Sequence, residues 1–269
     1  MGLSLLNNVT SLEADNQLNQ TSASLQNVLV QLSSGSRLNS GADDPAGLSI
    51  ADSLQASVDM LNQASNNANT GVGLLQTADG SLSQVTNLLD RAVTIATEAA
   101  NGGLTTSQSA ALDNEYQSIQ AEITRIGAQT TFNGSSVFTA STTSIFLGST
   151  ANSIGVTVGT LSATSLALDS TNLTSAASAA TALTAINTAV STVAQDRGTL
   201  GATLNRLTAA QNVISNQVTN LTSAEDLVTS ANIPQDVTEE SQLSVLEQTG
   251  MSALSQANNS TQNILRLFQ

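Results

Sequence analysis

The sequence predicts a mainly α fold: a long antiparallel, coiled-coil-like helical bundle with a small β-hairpin insert and amphipathic terminal helices. Two runs predict it first, each with an apolar residue at every seventh position. One reads Leu54, Leu61, Ala68, Leu75, Leu82, Leu89, Ala96, and the other Ile186, Val193, Leu200, Leu207, Ile214, Leu221, Val228. A heptad spacing sustained this long marks a narrow seam on a long helix that packs lengthwise on another. Second, Pro45 and Pro234 are the only prolines, so few positions forbid continuous helix. Third, aromatic residues make up 2% of the chain. Ala, Leu, Val and Ile must then supply the apolar surface, which suits helices that approach closely.

The elements follow in order. Residues 1–33 form an amphipathic segment with Leu5 and Leu12, then Leu18, Leu25 and Leu32, and Val28 and Leu29 on the same side. The Ser- and Gly-rich run LSSGSRLNSGADDPAG breaks it. Asp44 before Pro45 is a helix start, because the aspartate accepts an orphan N–H and proline at the first helical position loses no hydrogen bond. The long helix runs from about 45 to about 100, roughly 80 Å at 1.5 Å per residue. Asn101-Gly102-Gly103 is expected to end it through a left-handed glycine. A helix over about 106–128 returns with Leu112, Ile119 and Ile126 spaced by seven, beside Tyr116 and Ile123.

The period changes after Phe132-Asn133-Gly134. Ile154, Val156 and Val158 alternate, and Ser144-Ile145-Phe146-Leu147 is the partner strand across the Gly148–Ser153 turn. This Ser/Thr/Gly-rich region is the expected place for surface variation. The helical period resumes near Ala176 and lasts to about Ala231, Pro234 marks a break, and a last segment over about 236–268 carries Leu243, Leu246, Leu254, Ala257, Ile264, Leu265 and Phe268. The layout is nearly mirror-symmetric, so the two halves are expected to pair antiparallel.

Composition narrows the function. Six arginines, no lysine and a formal net charge of −14 disfavour nucleic acid and anionic membrane, which need basic patches. Absence of His and Cys removes ordinary zinc sites and Ser–His or Cys–His catalysis, so no cofactor and no enzymatic activity are expected. Asp43–Asp44 and Glu239–Glu240 are the adjacent acid pairs. Sequence neighbours do not face each other on a helix, so capping and solvated charge are their expected roles. The N-terminus MGLSLLNNVTSL lacks the basic and apolar regions of a signal peptide.

Energetics separates the ends from the middle. Burying one Leu or Val contributes about 1.5–3 kcal/mol, while ordering each residue costs about 1–2 kcal/mol. The terminal segments carry too few apolar anchors to balance that on a single partner. They are therefore expected to be disordered in the free monomer and helical only inside an assembly.

LSSGSRLNSGADDPAGLSIAD resembles the N-terminal region of bacterial flagellins. Further matches follow in the same order: NANTGVGLLQTADGSLSQVTNLLDRAVTIATEAANG (67–102), EYQSIQAEITRIGAQTTFNG (115–134) and SQANNSTQNILRLFQ (255–269). The similarity covers roughly 1–135 and 176–269, as in a short, core-only flagellin without large outer domains. This resemblance implies a structural subunit of the extracellular flagellar filament that serves swimming motility. It would be exported unfolded through the flagellar type III channel and polymerised under a cap. Implied partners are further copies of the chain, the cap, junction proteins and an export chaperone. A hook–filament junction protein, which shares the helical ends, is the alternative.

The resemblance also sets an organisation. Residues 1–40 would be the N-terminal segment of an inner-tube helical domain plus linker, and 232–269 its C-terminal segment. Residues 41–134 and 176–231 would form the core bundle, with 135–175 a small β-rich variable insert. Leu5, Leu12, Leu25, Leu32, Leu254, Ile264, Leu265 and Phe268 would carry polymerisation. Leu54, Leu61, Leu75, Leu82, Leu89, Val193, Leu200, Leu207, Ile214 and Leu221 would hold the bundle seam.

Two further functions attach to the same motifs. In some flagellins the surface around the DRAVTIA stretch, with a glutamate on the next helix, is bound by an animal Toll-like receptor. Arg91, Ile95 and Glu115 are the matching candidate receptor contacts here, while Val93 and Thr94 replace an arginine and a glutamate of the recognised pattern. A structural reading pairs Arg91 with Asp90 or Glu115 instead. The 135–172 insert is a candidate for adhesion, sugar binding or O-glycosylation.

Overall fold

The computed structural model describes residues 8–148 and 152–267. Among the described residues, five helices and four short strands follow one another as α1 (Val9–Ser34), α2 (Pro45–Ala99), α3 (Thr106–Gln129), β1 (Thr131–Phe132), β2 (Ser135–Ser136), β3 (Thr142–Phe146), β4 (Ser153–Thr157), α4 (Ala176–Thr229) and α5 (Ile233–Leu267). The chain forms two compact units. Unit 1 comprises 1–57 and 220–269, and unit 2 comprises 58–219. The division falls within the residue ranges of α2 and α4.

Helix starts are set by side chains. The Asp44 Oδ1 accepts from the N–H groups of Ala46 and Gly47 at 3.1 and 3.0 Å, with Pro45 opening α2 as its chemistry favours. Thr105 and Gln108 form a reciprocal capping box at α3. Ser175 accepts from the Ser178 N–H at the start of α4. Pro234 lies in the first turn of α5, so it marks a beginning rather than a gap. The left-handed ending expected at Gly102 or Gly103 occurs at Gly35 instead, with φ +70° and its N–H donating 2.8 Å to the Gln31 carbonyl. Gly102 and Gly103 have no positive φ.

Unit 2 holds most of the core. The α2 seam from Leu61 through Ala68, Leu75, Leu82 and Leu89 to Ala96 is buried, as is the α4 seam from Ile186 through Val193, Leu200 and Leu207 to Ile214. The two helices run antiparallel. Asn69 accepts from Gln211 at 2.7 Å and Asp79 from Arg197 at 2.8 Å, so position rises along one helix as it falls along the other.

The strands β3 and β4 pair antiparallel with Ile145 opposite Ile154 and Thr143 opposite Val156. A second two-residue hairpin, β1–β2, closes over Asn133-Gly134, whose φ angles are +49° and +78°. Asn-Gly is the preferred pair for such a turn.

The 135–175 region is less of a surface insert than its composition suggests. Val137, Phe138, Ile145, Leu147, Ile154, Val156, Leu161, Leu168 and Leu173 are buried. Four polar side chains along one face of α3 hold the segment after β4. Asp113 accepts from the Leu173 N–H at 2.7 Å, and the Tyr116 hydroxyl pairs with the Thr171 hydroxyl at 2.6 Å. Gln120 donates to the Leu168 carbonyl at 2.9 Å. Thr124 accepts from the Ala163 N–H at 3.1 Å. Their spacing of three, four and four residues is one helical face.

Unit 1 is built differently. Among its described residues only Thr21, Val28, Leu38, Gly47 and Ala51 are buried. The linker between α1 and α2 is tied to the end of α4 and the residues after it. Arg37 donates through its N–H to the Thr229 carbonyl at 2.7 Å and through its guanidinium to the Val228 carbonyl at 2.9 Å, and the Ala231 N–H reaches the Gly35 carbonyl at 3.0 Å. Asp43 accepts from the N–H groups of Asn39 and Ser40. Both members of the Asp43–Asp44 pair therefore organise backbone.

Candidate assembly interface

Helices α1 and α5 pair antiparallel. Asn8 donates to the Ala257 carbonyl at 3.3 Å, Ser11 bonds Asn258 at 2.9 Å, and Leu18 lies against Gly250. The partly or fully buried positions of α1 include Ser11, Ala14, Leu18, Thr21, Leu25, Val28 and Leu32, which alternate three- and four-residue steps. Those of α5 include Asp236, Glu240, Leu243, Glu247, Gly250, Leu254 and Ala257. Each list is a heptad seam, and the α5 seam is unusually polar.

Residues 9–34 and 233–267 are helical, and their seams align on a common antiparallel register within one chain. Leu25, Leu32 and Leu254, expected to carry polymerisation, are partly buried at seam positions of that pairing. Leu12 does stand out, 62% exposed. Leu5 and Phe268 lie outside the described residues, as do the side chains of Ile264 and Leu265.

The unmatched apolar surface lies elsewhere on the same helices. Val9, Leu12, Leu29 and Val30 are exposed on α1, and Val237, Val245, Leu246 and Met251 on α5. With Ile50, Leu227 and Ile233, unit 1 carries eleven of the fourteen large exposed apolar side chains among the described residues, although it is the shorter unit. Leu12 is among the expected polymerisation residues, whereas Val9, Val30, Val237, Val245 and Met251 escape a search that follows leucines at heptad spacing. The signal was present as valines and leucines one step off the seam. Unit 1 also holds eleven Asp and Glu against two Arg, a net of −9.

In unit 2 the expected bundle residues Leu61, Leu75, Leu82, Leu89, Val193, Leu200, Leu207 and Ile214 come together in the core. Leu54 and Leu221, which fall in unit 1, are half-buried. The candidate receptor contacts divide. The Arg91 Nε lies 2.7 Å from the Glu115 Oε1, and both side chains are substantially exposed. That bond holds the Glu115 carboxyl below its ordinary range and raises the Arg91 guanidinium. Ile95 is fully buried, so it is core rather than contact, and the three candidates do not form one surface.

Among the described residues no cluster of His, Cys, Asp or Glu is arranged to hold a metal, and no helix is long and apolar enough to cross a membrane. The chemistry on offer is helix burial, with charge to be managed as copies approach.

Comparison with known proteins places this arrangement. Residues 5–143 match the bacterial flagellin N-terminal helical region, and residues 183–268 match the bacterial flagellin C-terminal helical region. A B-type flagellin of Pseudomonas aeruginosa is 42% identical over 151 residues, 55% of this chain and 31% of that protein. A flagellin of Halalkalibacterium halodurans is 31% identical over 249 residues, covering 91% of this chain and 92% of the relative. Matches to the flagellins of Pseudomonas aeruginosa, Proteus mirabilis and Vibrio anguillarum span only about a third of those proteins' length.

Among solved structures, Bacillus cereus flagellin is 32% identical with a TM-score of 0.50, covering 60% of this chain and 94% of that one. A putative flagellar hook-associated protein from Vibrio parahaemolyticus shares the fold at 15% identity and a TM-score of 0.60, over 69% of this chain and 99% of that one. With both helical regions matched in order and one relative aligned over nearly its full length, this chain belongs to the bacterial flagellin family.

Proposed function

We propose that the chain is a structural subunit of the extracellular flagellar filament, without catalytic activity, and that copies polymerise through the outer faces of α1 and α5. One observation carries this reading: unit 1 buries little within itself yet displays most of the large exposed apolar side chains. Such a surface is costly on a solitary molecule and marks an association site. Each Leu or Val that passes from water into a contact between copies contributes up to about 1.5–3 kcal/mol, and a helical array repeats that gain at every subunit.

Family membership supports the wider roles proposed here. Export as an unfolded chain through the flagellar type III channel suits a sequence without cysteine, since no disulfide has to be undone. A chaperone before export, junction proteins at the base and a cap at the growing end complete the set of partners. Negative-stain microscopy of the concentrated protein tests the reading directly. Uniform tubes of unlimited length are expected. Rings or short stacks of fixed size would mark a hook–filament junction subunit, and dispersed particles at every concentration would exclude both.

A further inference from the structure

The sequence contains two Asn-Gly pairs, Asn101-Gly102 and Asn133-Gly134, and the fold places them in opposite circumstances. An asparagine before glycine is open to internal attack, because glycine has no β-carbon to shield its backbone nitrogen and leaves the peptide free to rotate. The deprotonated glycine nitrogen bonds to the asparagine Cγ and closes a five-membered succinimide. The Cγ–Nδ2 bond breaks and the side-chain nitrogen leaves as ammonia. Water then adds to either ring carbonyl and breaks a ring C–N bond, giving aspartate or isoaspartate. Nothing is oxidised or reduced, and water is the only co-reactant.

Asn101 sits just beyond the end of α2. The last helical bonds there run from the Ala100 N–H to the Ala96 carbonyl at 2.9 Å and from the Asn101 N–H to the Glu98 carbonyl at 3.1 Å. Among the described residues neither the Asn101 side chain nor the Gly102 N–H has a hydrogen-bond partner. Asn101, Gly102 and Gly103 are all exposed, and the space beside both glycines is open. Attack therefore meets no bond to break and no neighbour to displace.

Asn133 and Gly134 are held instead as the two central residues of the β1–β2 turn, both at positive φ. Thr131 pairs with Ser136 and Phe132 with Ser135, and the Val137 N–H donates 3.0 Å to the Thr130 carbonyl just outside them. Bringing the Gly134 nitrogen onto the Asn133 side chain requires rotation of the peptide between them, which opens this hairpin.

We propose that Asn101 is a site of spontaneous deamidation in the folded chain, and that Asn133 is protected by its turn. The product places a new carboxylate near Glu98 at the C-terminal end of α2, where the helix dipole disfavours negative charge.

The arginines make the test simple, because trypsin separates the two sites into peptides 92–125 and 126–197. Purified full-length protein is aged at mildly alkaline pH, and its isoaspartate is labelled by an isoaspartyl methyltransferase with a radioactive methyl donor. Label in 92–125 is expected to exceed label in 126–197 by about tenfold while the chain is folded, since the hairpin must open locally before Asn133 reacts. In denaturant the ratio should fall toward one. Asn101→Gln should remove the signal from 92–125, and Gly102→Ala should slow it. Equal or greater labelling of 126–197 in the folded chain would overturn the proposal. So would no label in 92–125, a native ratio unchanged by denaturant, or label in 92–125 that survives Asn101→Gln.

Discussion

Gly127 of α3 packs so closely on Leu161 that a β-carbon at 127 would overlap the Leu161 carbonyl oxygen. The obstacle is backbone, and that backbone belongs to the segment held by Asp113, Tyr116, Gln120 and Thr124. Gly127→Ala gains helix propensity of about 1 kcal/mol but forces the segment away, an overpacking cost of about 1–3 kcal/mol or more. Net destabilisation of unit 2 is expected in thermal unfolding. Gly71→Ala makes the informative comparison, because its β-carbon would meet the flexible end of Ile145. A change of χ angle relieves that overlap, so Gly71→Ala should be the milder of the two. Equal effects at both sites would refute the backbone argument.

Leu12 and Val28 lie on the same helix and should fail in different ways. Leu12 is 62% exposed, whereas Val28 is 6% exposed at the contact with α5. Leu12→Asp should leave the circular dichroism and melting of the monomer unchanged and abolish filament growth. Val28→Asp buries an unpaired charge, so it should unpair α1 from α5 and lower helicity before any question of assembly arises. If Leu12→Asp still formed normal filaments, the outer face of α1 would not be the contact.

Much of this was legible in the sequence. A buried seam on a long helix repeats, so Leu61 to Ala96 and Ile186 to Ile214 could be read at sight, and Asp44-Pro45 announced the start of α2. Harder to read were features without a repeat. The polar face of α3 holds a segment whose Ser and Thr content resembles free loop, and only the partner backbone reveals that Gln120 and Thr124 are satisfied there. Ile95 was misjudged because a motif match says nothing of facing, and its neighbours Ala92, Ala96 and Ala99 place it on the core side of α2. The leucines at heptad spacing on α1 and α5 read as contacts between copies, whereas Leu18, Leu25, Leu32, Leu243 and Leu254 occupy seam positions of the α1–α5 pair and other apolar residues stand on the outer face.

Glu115 and Asp196 should respond to pH in opposite senses. The bond from Arg91 lowers the Glu115 carboxyl, so between its folded and unfolded values the unfolded state binds more protons and stability rises with pH. That contribution is present at neutral pH and is lost as pH falls through the depressed value. Partial desolvation raises the Asp196 carboxyl even though the residue is exposed, so its folded form holds a proton longer and ionisation at neutral pH is a slight penalty. Asp196→Asn should therefore stabilise unit 2 slightly at pH 7 and make little difference in acid. Glu115→Gln should weaken it at pH 7 and likewise make little difference in acid. Melting temperatures across pH 3–7 check both signs, and parallel behaviour of the two variants would contradict the assignment.

Charge governs how readily copies approach. Unit 1, which carries the surface proposed to pack against its neighbours, has a net charge of −9, so each added subunit works against repulsion. The Debye length falls from about 30 Å at 0.01 M salt to about 8 Å at 0.15 M, which removes most of the distant part of that repulsion while leaving apolar burial intact. The critical concentration for polymerisation should therefore fall several-fold over this range, as read by sedimentation. A charge-neutralising change at an exposed acid of α5, such as Glu239→Gln, should shift the low-salt value downward and the high-salt value hardly at all. If polymerisation weakened as salt rose, ion pairing between copies would have to dominate, and the apolar faces of α1 and α5 would lose their assigned role.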